Sequence, residues 1–300
     1  MPWCRRSQFL TRFNRFLGRV TAGVLQPIGL GFVFMSSIAD FVMKNPNSTQ
    51  CGLFALVVVL LWLTEQAVSK RSVGEKLRHT SLNVLYMCAL LPIQLLLMVV
   101  CVGVANWTGQ AHWGLVYLLP HPESWPVKFV LMFFALDFLD YVYHVTAHRF
   151  RPLWSLHSLH HSDRAVDVST TFREHPAETL VRVCFLIAWV FICGASVEIL
   201  VLRQTVETIS NVSQHTVFRF PKLPARVLGW FFVTSNLHHT HHHWQRPGTN
   251  CNYGDVFSIW DRLFGTYVDL PEEDLVLGLA SLGGRAPAAF TRFSSLAASS

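Results

Sequence analysis

Five apolar runs of close to membrane-spanning length limit this 300-residue chain to a helical architecture. They are Thr21–Met43, Cys51–Val68, Tyr86–Trp107, Trp125–Tyr143 and Thr179–Leu202. Each is near the ~20 residues a helix needs to cross the hydrocarbon core. In lipid a segment must satisfy its own backbone hydrogen bonds, and continuous apolar runs without period-2 alternation do so as α-helices. Charge is correspondingly scarce. Only 14% of residues are Asp, Glu, Lys or Arg, against about 25% in a soluble domain.

The first four runs read as transmembrane helices. Arg5, Arg6, Arg12, Arg15 and Arg19 precede the first, and no acidic residue occurs before Asp40. Phe9, Leu10, Phe13, Phe16, Leu17 and Val20 recur among these arginines at three- and four-residue steps. Residues 1–20 therefore read as an amphipathic helix lying in the headgroup layer. A mitochondrial transit peptide has a similar composition. A nucleic-acid footprint is excluded, because no folded domain carries the charge. The loop containing Lys70, Arg71, Lys76 and Arg78 would lie on the same side as the amino end, whereas the loop between the first two spans has only Lys44. The positive-inside rule then places residues from His144 onward in the cytosol.

Histidine is the anomalous residue. Fifteen occur, eleven of them within 144–175 and 238–243. His144 and His148 are four residues apart and share a helix face. His157, His160 and His161 repeat the convergence, and His238, His241 and His242 have the same H-x-x-H-H spacing. Such a concentration of rings would be costly in desolvation and mutual repulsion without a ligand to hold, so the three clusters are read as a shared metal site. Imidazole suits iron, zinc, copper and nickel alike. His79, His112 and His121 read as ordinary hydrogen-bonded side chains.

The site constrains the fifth run. If Thr179–Leu202 crossed the membrane once, His215 and the 238–243 cluster would be stranded on the far side. The run is therefore expected to re-enter, turning near Gly194–Ser196. The short apolar stretch Val227–Val233 reads as an interfacial or core helix. No cysteine stands in a histidine cluster, and the seven cysteines form no C-x-x-C pair, which argues against a structural zinc site. More histidines than one tetrahedral ion needs, beside a bilayer, point to redox chemistry on a hydrocarbon.

The run from Asp137 through Tyr141-Val-Tyr-His144-Val-Thr-Ala-His148-Arg-Phe-Arg-Pro152-Leu-Trp154-Ser-Leu-His157-Ser-Leu-His160-His161-Ser-Asp163 resembles the fatty acid hydroxylase superfamily, also called the sterol desaturase family. So do Asp167-Val-Ser-Thr-Thr-Phe-Arg173-Glu-His175-Pro176-Ala-Glu178, the His238–His242 cluster, Asn252-Tyr253-Gly254 and Trp260-Asp261-Arg262-Leu263-Phe264-Gly265-Thr266-Tyr267. The resemblance implies a membrane-bound diiron oxygenase that hydroxylates or desaturates a lipid such as a sterol or fatty acyl chain. It implies two Fe ions, with zinc as an alternative in isolated protein. O2 is the co-substrate, and electrons come from NAD(P)H through cytochrome b5, a ferredoxin or a reductase. The implied ligands are His144, His148, His157, His160, His161, His238, His241 and His242, with His215 as a ninth. Family members with H-x-x-x-H at the last position have a histidine where this chain has Asn211. His175 and His239 are candidate additional ligands, and His243 lies four residues from His239. Asp137, Asp140, Asp163 and Asp167 are candidate acceptors for ligand N–H groups. A carboxylate within an apolar span, as at Asp137 and Asp140, needs a partner.

The expected fold is an all-α integral membrane bundle, with four transmembrane helices plus a re-entrant helical hairpin under a cytosolic, histidine-rich helical catalytic cap. The segments are 1–20 (interfacial), 21–124 (first three spans and loops), 125–270 (catalytic domain) and 271–300 (flexible tail). A bacterial inner membrane or endoplasmic reticulum location fits this organisation. The nearest rival is an acyl-lipid desaturase, but only eight residues separate His148 from His157, and in that family the first two boxes stand further apart. A histidine-rich metal transporter or buffer would carry ligands within its spans, and the first three have none. A catalytically dead scaffold is a third alternative, disfavoured by the intact clusters.

Overall fold

The computed structural model describes residues 46–69, 71–119, 125–245 and 248–279. The expected amphipathic segment, the first expected span, Lys70, His121 and residues 280–300 lie outside these. Nine α-helices and no β-strand occur among the described residues: α1 (Pro46–Val68), α2 (Val73–Ala111), α3 (Trp125–Arg149), α4 (Arg151–His161), α5 (Pro176–Cys193), α6 (Val197–Gln214), α7 (Lys222–Gly229), α8 (Ser235–His241) and α9 (Ile259–Leu263). The chain divides into two compact units, residues 1–57 and 58–300, and the second holds all the side-chain contacts described below.

Three segments are long and apolar enough to cross a membrane, within Val73–Leu118, Pro126–Arg149 and Pro176–Cys193, and Ala55–Val68 is a shorter apolar helix segment. The helix expected to begin at Tyr86 begins at Val73. A capping box starts it, in which the Ser72 hydroxyl accepts from Glu75 N (3.3 Å) and the Glu75 carboxylate accepts from Ser72 N (2.8 Å). With 39 residues, α2 is about 58 Å long, well beyond a ~30 Å hydrocarbon core. Its polar amino-terminal turns are therefore free to pack against the loops outside the core. Lys76, expected among the loop cations, is fully buried in this part of the helix. Its ammonium donates to the Trp62 carbonyl and pairs with Glu65 at 3.5 Å. Arg71 pairs with Asp167 at 2.8 Å. Arg71 and Lys76 are thus committed to internal partners.

The fifth apolar run folds as two helices that double back. α5 ends at Gly194, which has φ +73°, and α6 starts after Ser196. Gly194 packs against Trp113 and Gly114 beyond the carboxyl end of α2, and a Cβ on Gly194 or Gly114 would collide with the other strand's backbone. The hairpin thus turns where the sequence placed its bend and returns the chain to the histidines. The first arm, 18 residues or about 27 Å, is as long as a short span. Arg203 and Glu207 on the return arm are paired with each other (2.9 Å), and Arg203 also pairs with Asp140 of α3. This inward pairing explains how an arm too charged to look like a span packs among apolar helices. Cys101 and Ala105 of α2, Met132 and Leu136 of α3, Leu186 and Val190 of α5, and Ile199 and Leu200 of α6 form one buried core. The histidines gather at the other end of these helices.

Candidate metal centre

The sequence-predicted histidines converge from four elements. His144 and His148 end α3, and His157, His160 and His161 occupy the following α4. His215 caps the carboxyl end of α6, while His238 and His241 lie in α8 with His242 as its cap. The nine form two groups, in each of which one potential ligand atom per residue lies within 4.8 Å of the others. The first is His144, His148, His157, His161 and His241, and the second is His160, His215, His238 and His242. Adjacent His160 and His161 put α4 between the groups.

Tautomers decide what these rings can do. In six of the nine, Nδ1 is engaged by an acceptor outside the cluster. His144 donates to the Tyr253 carbonyl (2.9 Å), His241 to that of Cys251 (2.6 Å), His215 to that of Asn211 (2.8 Å) and His160 to that of Arg173 (3.3 Å). His157 donates to the Glu178 carboxylate (2.6 Å) and His148 to Asn250 Oδ1 (3.3 Å). A neutral imidazole has one N–H, so each of these rings presents a bare Nε2 lone pair inward. Nε2 of His144 faces Nε2 of His157 at 3.2 Å, and Nε2 of His160 faces that of His215 at 3.2 Å. Two lone pairs at this distance repel unless a cation lies between them. The spacing matches neighbouring ligands on an ion with metal–nitrogen bonds of about 2.0–2.1 Å. The buried Nε2 atoms of His148 and His241, the Nδ1 atoms of His238 and His242, and both nitrogens of His161 have no hydrogen-bond partner. Buried polar atoms without partners are rare, and their concentration here fits metal ions held by these residues.

Burial, then the charge of neighbouring imidazoles, holds His160, His161, His238 and His242 far below the usual histidine range. Burial lowers His215 to about 4 and His241 to about 3. Neutral imidazole is the form that binds metal, so the rings are ready ligands at neutral pH.

The remaining candidates lie elsewhere. His175 caps α5, its Nδ1 accepting from Ala177 N (3.1 Å). His239 is buried outside both groups, donates to the Thr216 carbonyl, and is lowered to about 3 by burial. His243 Nδ1 accepts from Val276 N (3.1 Å). His112 bonds the Gln110 carbonyl. Asn211 reaches His215 through its backbone, and its side-chain Oδ1 is buried without a partner.

The aspartates considered as acceptors serve different purposes, which corrects that expectation. Asp137 accepts from Val256 N (3.0 Å) and Trp260 Nε1 (2.7 Å), fixing the 256–260 turn on α3. Asp140 pairs with Arg203. Asp163 and Asp167 both meet His79, at 2.9 and 3.1 Å. Burial pushes the Asp163 carboxyl upward, but its bonds to His79 and Thr170 and the nearby Arg173 hold it well below the usual range. With Asn83 donating to Ser169 (2.9 Å), these contacts staple the loop after α4 to the amino-terminal turns of α2.

The carboxylate that does reach one of the nine rings is Glu178, in the first turn of α5, which accepts from His157. Asn250 and four backbone carbonyls supply the other acceptors. The 250–254 loop is built to present them. Asp261 accepts from Tyr253 N (2.7 Å) and Gly254 N (2.8 Å), and Asn252, at φ +49°, bonds both Leu237 O and Val268 N. A Cβ at residue 254 would strike the Phe257 carbonyl, so that position is confined to glycine.

The fatty acid hydroxylase family model matches residues 129–266, the segment that supplies all nine histidines. This segment is a fatty acid hydroxylase domain. Over 152 residues, half of its length, the chain is 31% identical to ornithine lipid hydroxylase OlsE of Rhizobium tropici, covering 45% of that protein. Alkylglycerol monooxygenase of Caenorhabditis elegans is 28% identical over 52% of the chain and 30% of its own length. The Xenopus tropicalis protein of the same name is 27% identical over 55% and 35%. The chain spans less than half the length of these curated relatives. No solved structure matches it.

Proposed function

We propose that this chain oxidises a membrane lipid with O2 at two iron ions, one in each histidine group, with hydroxylation as the reaction. The observation that carries the reading is the convergence of nine imidazoles in groups of five and four. A structural zinc site would close with four ligands and favour cysteine. Two irons bound there supply reductive activation of O2 and the removal of hydrogen from an unactivated carbon.

The protein's own residues prepare that chemistry. Glu178, Asn250 and the Tyr253, Cys251, Asn211 and Arg173 carbonyls hold six rings in one tautomer and orientation. Burial of the rings keeps bulk water from the reacting centre. A cavity of about 220 Å³ opens on His144, His157, His160, His215 and His238, so both groups face one substrate space. The chain's long apolar helices deliver a substrate from the bilayer. Electrons are drawn from NAD(P)H through a partner such as cytochrome b5, a ferredoxin or a reductase. The relatives' names, a lipid hydroxylase and a monooxygenase, support hydroxylation over desaturation, as does the short interval between His148 and His157. The catalytic face is read as cytoplasmic.

The test is metal analysis of the purified full chain, followed by turnover under 18O2 with membrane lipids and mass spectrometry. About two irons per chain and one labelled oxygen in a lipid product are expected. Loosely exchanging zinc with no labelled lipid would instead identify a metal buffer or transporter.

A further inference from the structure

An apolar surface stands between two ligands of the second group, His215 and His238. Leu223, Val227, Trp230, Phe231 and Phe232 are exposed there, as are Leu263 and Phe264 of the neighbouring α9, with Phe231 at 66% and Leu263 at 67%. An exposed apolar face on this scale marks a docking surface. Its position along α3 identifies the occupant. Val233 N donates to the Val256 carbonyl (2.9 Å) and Ser258 N to that of Phe231 (3.1 Å), which joins the end of α7 to the turn before α9. In that turn Phe257 packs on Phe232 (ring centroids 5.7 Å) and stacks on Phe134 of α3 (4.6 Å), while Trp260 and Phe264 pack on Phe138 (4.9 and 5.8 Å). Phe134 stands ten residues before His144, ~15 Å along a helix and about half of a ~30 Å hydrocarbon core. Val130, Leu131 and Phe134 are themselves exposed, so the apolar face continues the lipid-facing surface of the span.

The segment is built for that depth. Irregular backbone at hydrocarbon level needs internal partners for its polar groups. The Gly229 carbonyl accepts from Ser258 Oγ (2.7 Å) and Arg262 (2.9 Å), and the Leu228 carbonyl from Phe231 N (3.0 Å) and Phe232 N (2.9 Å). Asp137 takes Val256 N and Trp260 Nε1. The Arg262 guanidinium lies over the rings of Trp230 (4.2 Å) and Tyr267 (3.8 Å), which cover its charge. At the opposite end of α7, Lys222 and Arg226 are exposed with no acidic partner among the described residues, and no Asp or Glu occurs from Phe218 to Phe232. That end is tied to the level of the histidines, because Phe220 exchanges two hydrogen bonds with Asn236 of α8 (2.9 and 3.1 Å). Cations at the top and aromatic rings at the tip are the polarity of a segment entering a leaflet, with the charges at the phosphates. A second copy docked about an axis along the membrane normal would instead bring these cations together.

We propose that residues 218–232, with α9, form a re-entrant wedge in the leaflet on the histidine side, its tip among acyl chains and Lys222 and Arg226 at the phosphates. The inference needs α3 to span the bilayer and is independent of the oxidation reading.

The test places the photoreactive residue p-benzoylphenylalanine at Leu223, Phe231, Leu263 or Glu273, one site per variant, in the full chain reconstituted in phosphatidylcholine–phosphatidylglycerol vesicles. All four positions are exposed, and Glu273 belongs to the acidic turn beyond α9. After irradiation, mass spectrometry should find phospholipid adducts at 223, 231 and 263 and none at 273. Fragmentation should place the adducts nearer the methyl end of the acyl chain at 231 than at 223. Cross-links from 231 and 263 to a second copy, or to residues 1–45 of the same chain, would overturn the proposal, as would lipid adducts at neither site. Equal depth at 223 and 231 would replace the wedge by a helix lying flat on the surface. Sites on two separate elements keep the outcome decisive if one variant does not fold. A chain that inserts in this way but oxidises no lipid would refute the proposed function and leave the wedge standing.

Discussion

His157 Nδ1 donates to the Glu178 carboxylate across 2.6 Å, joining the middle of the α4 histidine box to the first turn of α5. Both side chains are buried, Glu178 at 3% exposure. The bond fixes His157 with Nε2 directed at His144, and a charged acceptor makes the ring a stronger donor to a metal. Glu178→Gln keeps the shape and removes the charge. Metal affinity should fall about 10–100-fold, as for other partners of metal-bound histidine. Competition against a graded series of chelators measures it, and unchanged affinity would remove Glu178 from the site.

The two groups share no residue, so their ions should be separable. His215→Ala removes one of four ligands from the second group and leaves all five of the first. Iron content should drop from about two to about one per chain, with lipid oxidation lost. Retention of two irons would show that the partition into five and four is wrong.

The convergence of the histidines was legible in the sequence because its geometry is local. Spacings of three and four residues converge on one face of a helix whatever the helix packs against, which covers the boxes at 144–148, 157–161 and 238–242. The hairpin was legible for a different reason, since His215 could join the others only if the chain came back. The acceptors for the rings were hidden. Glu178 and Asn250 lie 21 and 102 residues from the histidines they serve, and only tertiary packing brings them there. Asp163 and Asp167 looked like partners for ligands by proximity in sequence, but the fold turns them to His79, 84 and 88 residues away. The amino-terminal third of α2 escaped notice because hydropathy sees the lipid-facing length of a helix and not the part that runs on into a polar cap.

Acid should unfold the metal-free protein. In the folded state His215 is lowered to about 4 and His241 to about 3 by burial, whereas in the unfolded chain each titrates near 6.5. Between those values the unfolded state binds more protons, so stability is fully present above about pH 6.5 and is lost as pH falls toward 4. Each such histidine contributes a slope of about 1.4 kcal/mol per pH unit in that window. Melting temperature of the metal-free chain in detergent, followed from pH 7.5 to 4.5, should decline steeply below 6.5. A flat profile would mean that the rings are solvated.

His175 stands before Pro176 in a run that resembles the family, yet it acts as a helix cap with Nδ1 accepting from Ala177 N. His175→Ala should cost roughly 0.5–2 kcal/mol of stability, the usual loss for an N-cap acceptor. Iron content should be unchanged. His175→Asn should recover most of the stability, because asparagine caps well. Loss of iron in the alanine variant that the asparagine does not restore would make His175 a ligand.

Gly194 turns the hairpin on which His215 depends. Its φ of +73° disfavours any residue with a Cβ, and that Cβ would run into the Trp113 carbonyl as well. Gly265 provides the control, having φ +70° but open space where a Cβ would go. Gly265→Ala should therefore cost only the backbone term, about 1 kcal/mol. Gly194→Ala adds a collision with backbone that cannot move aside cheaply, so its loss should exceed that by about 1–3 kcal/mol. Thermal unfolding of the two variants side by side measures the difference. Because Gly194 lies at the far end of α6 from His215, a shift of the turn should also displace that ligand, and iron binding to the second group should weaken while the first is spared. Equal stability of the two variants would show that the close approach of Gly194 to Trp113 is not what holds the hairpin closed.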